Sequence, residues 1–164
     1  MINFIRKKIR SKKQTLKNEK LIEKLKEDHR KLLKLFNDVE ESVELCKQKK
    51  KRKEYCVKKF DAFLNELSLH LTLENSQLYE HLEIKYKYCD IRRMKHIKEE
   101  IPSHSELLKE IKFLLLAEDY QKAERNLHTL KLFLLARIKF EEEKLYELYE
   151  KTFPCERIKY KLYY

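Results

Sequence analysis

The sequence predicts an all-α protein, an antiparallel up-down-up-down four-helix bundle with a basic N-terminal extension. The chain of 164 residues contains no glycine and two prolines, so it lacks the residues that tight β-turns require. Charged residues make up 41% of the chain, as is typical of long helices with solvated outer faces. Apolar residues recur at spacings of three and four in four separate segments. Together these observations favour one domain of packed amphipathic helices.

The basic extension is predicted at residues 1–16, the bundle at 17–153 and a short tail at 154–164. Lysine and arginine crowd the extension, and a second basic run spans residues 49–53. Such blocks can bind nucleic acid or an anionic membrane, but no nucleic-acid motif accompanies them, so a solvated arm is favoured. No apolar run approaches a transmembrane span and no secretory signal is evident, so a cytoplasmic location is expected.

The first helix is predicted from about Lys17 to Lys47 and the second from about Arg52 to Tyr86. Apolar residues form one stripe on each predicted helix. The first stripe contains Ile22, Leu25, His29, Leu32, Phe36, Val39 and Val43, and the second contains Phe60, Phe63, Leu67, His70, Glu74, Leu78 and His81. The two helices are joined by a short loop, so they should run antiparallel.

The third helix is predicted to start near Pro102, a residue suited to a first helical turn, and the fourth near Asp119, a plausible N-cap. Pro154 bounds the fourth helix, and residues 91–100 form either a short extra helix or an irregular connection. The third stripe contains His104, Leu107, Leu108, Ile111 and Leu115, and the fourth contains Leu127, Leu130, Leu134, Arg137, Glu141, Leu145 and Leu148.

Polar residues interrupt all four stripes, although each stripe should face inward. The interrupting residues are His29, His70, Glu74, His104, Arg137 and Glu141. An isolated polar group in a bundle costs several kcal/mol unless it pairs or binds a metal. A single histidine on such a stripe is more often a hydrogen-bonded core residue, but the set as a whole predicts a metal-binding layer. The other histidines, His81, His96 and His128, are expected at the surface or rim.

Two segments, residues 70–80 and 137–147, are near copies of each other. Each places a glutamate four residues after a polar residue, which puts the pair on one helix face, and each continues with Leu-Tyr-Glu at the same offset. The pair is His70 and Glu74 in the first copy, but Arg137 and Glu141 in the second. Arginine stays protonated and cannot act as an ordinary metal ligand. Arg137 should therefore point inward to pair with Glu74, Glu141 or both, unless it extends to the surface.

This pattern resembles the hemerythrin-like, or HHE cation-binding, family over roughly residues 21–153. The resemblance implies a four-helix bundle with a non-haem di-iron centre. It also implies, as metal ligands, His29 on the first helix, His70 and Glu74 on the second, His104 on the third and Glu141 on the fourth. Arg137 replaces the family's fourth-helix histidine, and Leu108 stands where some members have another histidine. The expected cofactor is therefore iron at a site that binds one metal ion instead of two. A dinuclear centre, another divalent metal and no metal at all stay open as alternatives.

Two functions are compatible with the sequence. The first is metal, oxygen or redox sensing by a degenerate hemerythrin-like protein whose partner is a metal ion. The second is a metal-free bundle that acts by binding a protein partner, since residues 136–141 are similar to the last helix of bacterial anti-sigma regulators. No phosphate loop or nucleophile–base pair is present, so the chain is not expected to be an enzyme. Widely spaced cysteines favour reduced thiols over a zinc site or redox dithiol.

Overall fold

The computed structural model describes the backbone of residues 2–85 and 104–150 and the side chains of residues 19–82 and 104–149. The described part is all-α, which confirms the predicted fold class. Its helices are α1 (Ile2–Lys47), α2 (Lys53–Leu73), α3 (Glu80–Lys85), α4 (Ser105–Leu116), α5 (Tyr120–Phe140) and α6 (Tyr146–Glu150). A π-helical segment, π1 (Glu74–Tyr79), joins α2 to α3, and a second, π2 (Glu141–Leu145), joins α5 to α6. Each of these two series is continuous, so the bundle has four helical rods.

The predicted end of the first helix and the predicted starts of the second and fourth helices agree with the structure. The third helix begins at Ser105, after His104, and the predicted limits Tyr86 and Pro102 lie outside the described residues.

The largest difference is at the start of the first helix. That helix begins at Ile2 and not near Lys17, so the backbone of the predicted arm continues the first rod. The arm contains no glycine or proline and is rich in lysine, a good helix former, which explains the continuation. The side chains of the arm, residues 1–16, are outside the part of the chain whose side chains the structure describes. Pro154 and the two alternatives for residues 91–100 also lie outside the described residues.

Short connections reverse the chain without any glycine. Lys49 follows the end of α1 with a φ of 57°, and Glu118 follows α4 with a φ of 62°. Glycine usually takes this left-handed conformation at a helix end, so Lys49 and Glu118 adopt it at some cost in conformational free energy. Asp119 then caps α5, because its side chain accepts a hydrogen bond from the Lys122 backbone N–H at 3.1 Å. The predicted N-cap is confirmed.

The buried apolar residues form two clusters. The lower core joins α1, α2, α4 and α5 and contains Leu32, Phe36, Val39, Val43, Cys46, Cys56, Phe60, Phe63, Ile111, Leu114, Leu115, Ala123, Leu127, Leu130 and Leu134. The upper core contains Leu21, Ile22, Leu25, Leu78, Tyr79, Leu82, Leu145, Tyr146 and Tyr149. Between them along the chain lie the buried polar residues His29, His70, Glu74 and Glu141. A polar layer thus separates two apolar cores.

The π-helical segments shift the inward stripe beyond the polar layer. Leu148 was predicted on the fourth stripe, but it is 37% exposed, whereas Tyr149 is buried. In the second rod, His81 is only half-buried and Leu82 is buried instead. A π turn adds one residue to the helical repeat, so every later residue moves round the helix axis. Leu78 and Leu145 are buried as the stripes predict, but the predictions for His81 and Leu148, which follow them, are wrong by one position.

A disulfide joins Cys46 in the last turn of α1 to Cys56 in the first turn of α2, with the Cα atoms 6.9 Å apart. The expectation of reduced thiols is therefore wrong for these two residues. The helices run antiparallel, so their adjoining ends bring together two cysteines that the sequence separates by a loop. Cys89 and Cys155 lie outside the described residues.

In the part of the chain that the structure describes, no helix combines the length and the apolar character needed to cross a membrane.

Candidate metal centre

Four of the predicted ligands come together inside the bundle. His29, His70, Glu74 and Glu141 each offer one ligand atom, and these four atoms lie within 4.8 Å of one another. All four residues are buried. They come from three rods, namely α1, α2 with π1, and π2. An ion held by nitrogen and oxygen at about 2.0–2.2 Å keeps its ligand atoms within about 4.4 Å, so small side-chain movements complete the geometry.

Both glutamates stand at the first residue of a π-helical segment. In π2 the Tyr146 backbone N–H bonds to the carbonyl of Glu141, five residues earlier, and in π1 the Glu80 N–H bonds to that of Asn75. This wider turn lets residues five apart share a helix side, which an α-helix does not. The repeat found in the sequence therefore has a structural counterpart, since each copy starts a π turn at its glutamate.

His29 is held at both ring nitrogens. Its Nδ1 lies 2.8 Å from Glu142 Oε1, and its Nε2 lies 3.2 Å from Glu141 Oε2 and 3.2 Å from the Tyr146 hydroxyl. Burial lowers the pKa of His29, but the hydrogen bonds to Glu141 and Glu142 outweigh burial and raise the pKa overall. A carboxylate on Nδ1 with Nε2 directed to the cluster is the arrangement common among metal-bound histidines.

His70 stacks above Glu74 on one helix face. Its Nε2 lies 3.5 Å from Glu74 Oε2, and its ring meets the His29 ring edge-on at 4.7 Å. On the far side, Nδ1 lies 3.9 Å from the Asp28 carboxylate. Burial, together with the positive charges of His29 and Arg137, lowers the pKa of His70 to about 3. His70 is therefore neutral near pH 7, the form that binds metals.

Arg137 points into the bundle and bridges the two glutamates. One terminal nitrogen lies 2.9 Å from Glu74 Oε2, and Nε lies 2.5 Å from Glu141 Oε1. The arginine side chain is only 13% exposed. The predicted inward pairing is confirmed with both partners, and the alternative of an arginine extended to the surface is wrong. A fixed cation thus occupies one side of the polar layer.

The donor atoms of the cluster suit a cation. Burial and the negative charge of Glu141 raise the pKa of Glu74 despite the neighbouring Arg137. Among the described residues, Glu74 Oε1 is buried and has no hydrogen-bond partner. A buried polar atom without a partner is rare in proteins, and an ion is one recognised explanation. Neutral imidazole and carboxylate ligands together fit iron, manganese or zinc.

The comparison with protein families agrees with this geometry. The sequence model of the hemerythrin HHE cation binding domain matches residues 20–149. The chain belongs to this hemerythrin family. No curated protein and no solved structure gives a significant match. Family membership points to metal binding, and the four converging residues are the candidate ligands. Arg137 is the main departure from the family pattern.

The third-helix residue expected from the hemerythrin pattern does not join the cluster. His104 directly precedes α4, and its ring packs edge-on against Phe133 with the ring centroids 4.2 Å apart. The described ligand group therefore has four members instead of the predicted five. Of the histidines expected at the surface or rim, His128 is exposed and His81 packs against Tyr149, whereas His96 lies outside the described residues.

Three residues of this hemerythrin-family site were missed by sequence reasoning. Glu142 contacts His29, Tyr146 contacts the same ring, and the Tyr79 hydroxyl lies 3.5 Å from Arg137. Burial raises the pKa of both tyrosines, which keeps them as neutral phenols. The repeated Leu-Tyr-Glu was the available signal, but five residues after a glutamate an α-helix directs a side chain away from it. Only the π turns bring the tyrosines inward.

Proposed function

We propose that this protein binds a single transition-metal ion, with iron as the first candidate, at His29, His70, Glu74 and Glu141. It uses the ion to sense metal, oxygen or redox state, and it is not an enzyme. The observation that carries the proposal is the convergence of these four buried groups beside a cation that takes the place of a second metal.

The charge balance of the polar layer supports one ion over two. With an ion bound, Arg137 contributes one positive charge, and the two ionised glutamates contribute two negative charges within ion-pair distance of it. A second divalent ion beside a buried guanidinium would be repelled at close range, where the interior screens charge poorly. A histidine ligand on the fourth helix is also lacking. Dinuclear oxygen chemistry is therefore not proposed.

Each residue of the site has a different role in holding an ion. His70 offers a neutral imidazole, and Glu142 holds the Nδ1 of His29 so that its Nε2 faces the cluster. Glu74 and Glu141 supply carboxylate oxygens, and the two apolar cores keep bulk water from both ends of the layer. Bound iron would supply a redox-active centre. Because the donor set also fits manganese and zinc, family membership is what favours iron.

Metal analysis of protein purified without chelator tests this proposal. We expect close to one metal ion per chain, and we expect His70→Ala and Glu74→Ala each to remove most of it, because each deletes a ligand. The matched control is His128→Ala, which changes an exposed histidine on α5 and should leave the metal content unchanged. Circular dichroism of each variant verifies that the bundle is folded.

Two outcomes would contradict the proposal. Unchanged metal content in both His70→Ala and Glu74→Ala would remove these residues from the ligand set. Two ions per chain with oxo-bridge absorption would mean that Arg137 yields its place to a second metal.

One observation favours a second candidate function. Arg137 already pairs with both Glu74 and Glu141, so the carboxylates of the polar layer have a positively charged partner without any metal. A metal-free bundle that acts by binding another protein is the alternative. Protein that carries no metal after native purification, and takes up none when iron or zinc is added, would support it.

A further inference from the structure

Tyr146 directs its hydroxyl at the nitrogen of His29 that faces the metal group. The π turn starting at Glu141 places it there, because the Tyr146 amide closes the five-residue hydrogen bond of that turn. The residue is 1% exposed, and its ring stacks nearly parallel to that of His29. The hydroxyl lies 3.2 Å from His29 Nε2. The Tyr146 hydroxyl oxygen therefore lies next to His29, one of the four ligands already described.

Tyr79 occupies the equivalent position in the other repeat but has a different neighbour. It also follows its glutamate by five residues and is 2% exposed. Its hydroxyl, however, lies 3.5 Å from the Arg137 guanidinium. The two tyrosines are therefore alike in sequence and burial, but Tyr146 contacts a histidine of the ligand group, whereas Tyr79 contacts Arg137 and the Glu141 carboxylate.

Metal binding would take from Tyr146 the partner it now has. In either direction, the hydrogen bond between the Tyr146 hydroxyl and His29 Nε2 is lost when that nitrogen binds an ion instead. The buried hydroxyl then needs another partner, since an unpaired buried group is costly. The ion lies next to Nε2 and therefore beside the hydroxyl, and a phenol oxygen that loses its proton is a strong ligand for a trivalent metal.

We propose that Tyr146 is a fifth ligand and that its phenolate makes the site selective for ferric iron. This inference rests on the proposed metal-binding function and specifies its ion. In the binding step an Fe–O bond forms, the phenol O–H bond breaks and the proton passes to solvent; no electron is transferred.

Charge favours the same assignment. Fe³⁺ with two glutamates and Arg137 leaves a net charge of two positive units in the layer, which is expensive away from water. A phenolate lowers this charge to one unit, equal to that of a divalent ion held without the phenolate. Tyr146 therefore lets the site hold a trivalent ion at no greater charge cost than a divalent ion.

The test is to load metal-free protein with one equivalent of ferric nitrilotriacetate and record its visible and resonance Raman spectra. We expect a phenolate-to-iron charge-transfer band in the visible range and phenolate vibrations enhanced within it. Tyr146→Phe should abolish the band and weaken ferric binding at least tenfold. It should leave Zn²⁺ binding within about threefold, since phenylalanine keeps the packed ring. Tyr149→Phe is the matched control, since Tyr149 is buried but packs against His81 outside the ligand group, and it should keep the band. Tyr79→Phe examines the other tyrosine of the polar layer, and we expect the band to stay.

The outcomes separate this inference from the proposed function. Wild-type protein that binds one ferric ion without the band, or Tyr146→Phe with an unchanged band, would overturn the tyrosine ligand alone. Such a result would mean that the Tyr146 hydroxyl donates a hydrogen bond to a glutamate of the polar layer and does not bind the ion. Wild-type protein that binds neither Fe³⁺ nor Zn²⁺ would contradict the metal-binding function itself. Loss of the band in Tyr79→Phe but not in Tyr146→Phe would assign the ligand to Tyr79 and also overturn the inference.

Discussion

Arg137→Ala should lower the free energy of unfolding of the metal-free protein by about 3–5 kcal/mol, the range for removing one partner of a buried ion pair. The loss is large because Glu74 and Glu141 would stay buried with no cation between them. In metal-loaded protein we expect a clearly smaller loss, since the bound ion neutralises the same carboxylates. Chemical denaturation with and without one equivalent of Zn²⁺ measures both values.

Arg125→Ala provides the control for this comparison. Arg125 is an exposed arginine on the same helix, so its replacement should change stability by no more than about 0.5 kcal/mol in either state. Equal effects of Arg137→Ala on metal-free and metal-loaded protein would contradict the idea that arginine and ion serve the same carboxylates. Arg137→His completes the set and should raise the bound metal above one per chain, because it exchanges the fixed cation for an imidazole.

Metal affinity should rise by about 10- to 100-fold for each pH unit between about pH 6 and pH 8, because one or two protons leave as the ion binds. Burial lowers the pKa of His29, but Glu141 and Glu142 raise it further, and burial raises that of Glu74. Both shifts favour the protonated forms of these groups, so protons compete with the ion for its ligands, and this competition weakens as the pH rises. His70, with its pKa lowered to about 3, is already neutral and adds nothing to the dependence.

Competition for Zn²⁺ with a chromophoric chelator of known pH dependence measures this slope. Glu74→Gln removes one competing proton while keeping an oxygen at the same place, so the slope should fall to at most about tenfold per pH unit. A flat profile in the wild type would contradict the proton competition. An identical slope in Glu74→Gln would assign the second proton to another group.

The parts of the molecule that repeat every three or four residues were predictable from the sequence. Buried residues such as Leu25, Phe36 and Phe63 lie where the stripes placed them, and the inward direction of Arg137 followed from the stripe it interrupts. The same periodicity failed after Leu78 and Leu145, at His81 and Leu148, because nothing in a residue pattern marks a π turn. The tyrosines at the site were hidden for this reason.

Two further features depend on contacts between rods and could not be read from one helix at a time. The Cys46–Cys56 disulfide requires the antiparallel meeting of two helix ends. The place of His104 depends on where α4 begins, and that helix begins one residue too late to carry the histidine within its regular part. A stripe identifies the face of a residue but not its height along the bundle relative to its neighbours.

Arg137 is part of the polypeptide and cannot dissociate, so the bundle has a permanent positive charge beside its two buried glutamates. Many small metalloproteins unfold when their ion leaves, since binding and folding share one free energy. Here the departing ion leaves behind a layer that already has a positive partner. Under the proposed function, the ion would be taken up and released by a scaffold that stays folded in both states. Such exchange is what a reversible reporter of ion supply requires and a permanent structural metal does not.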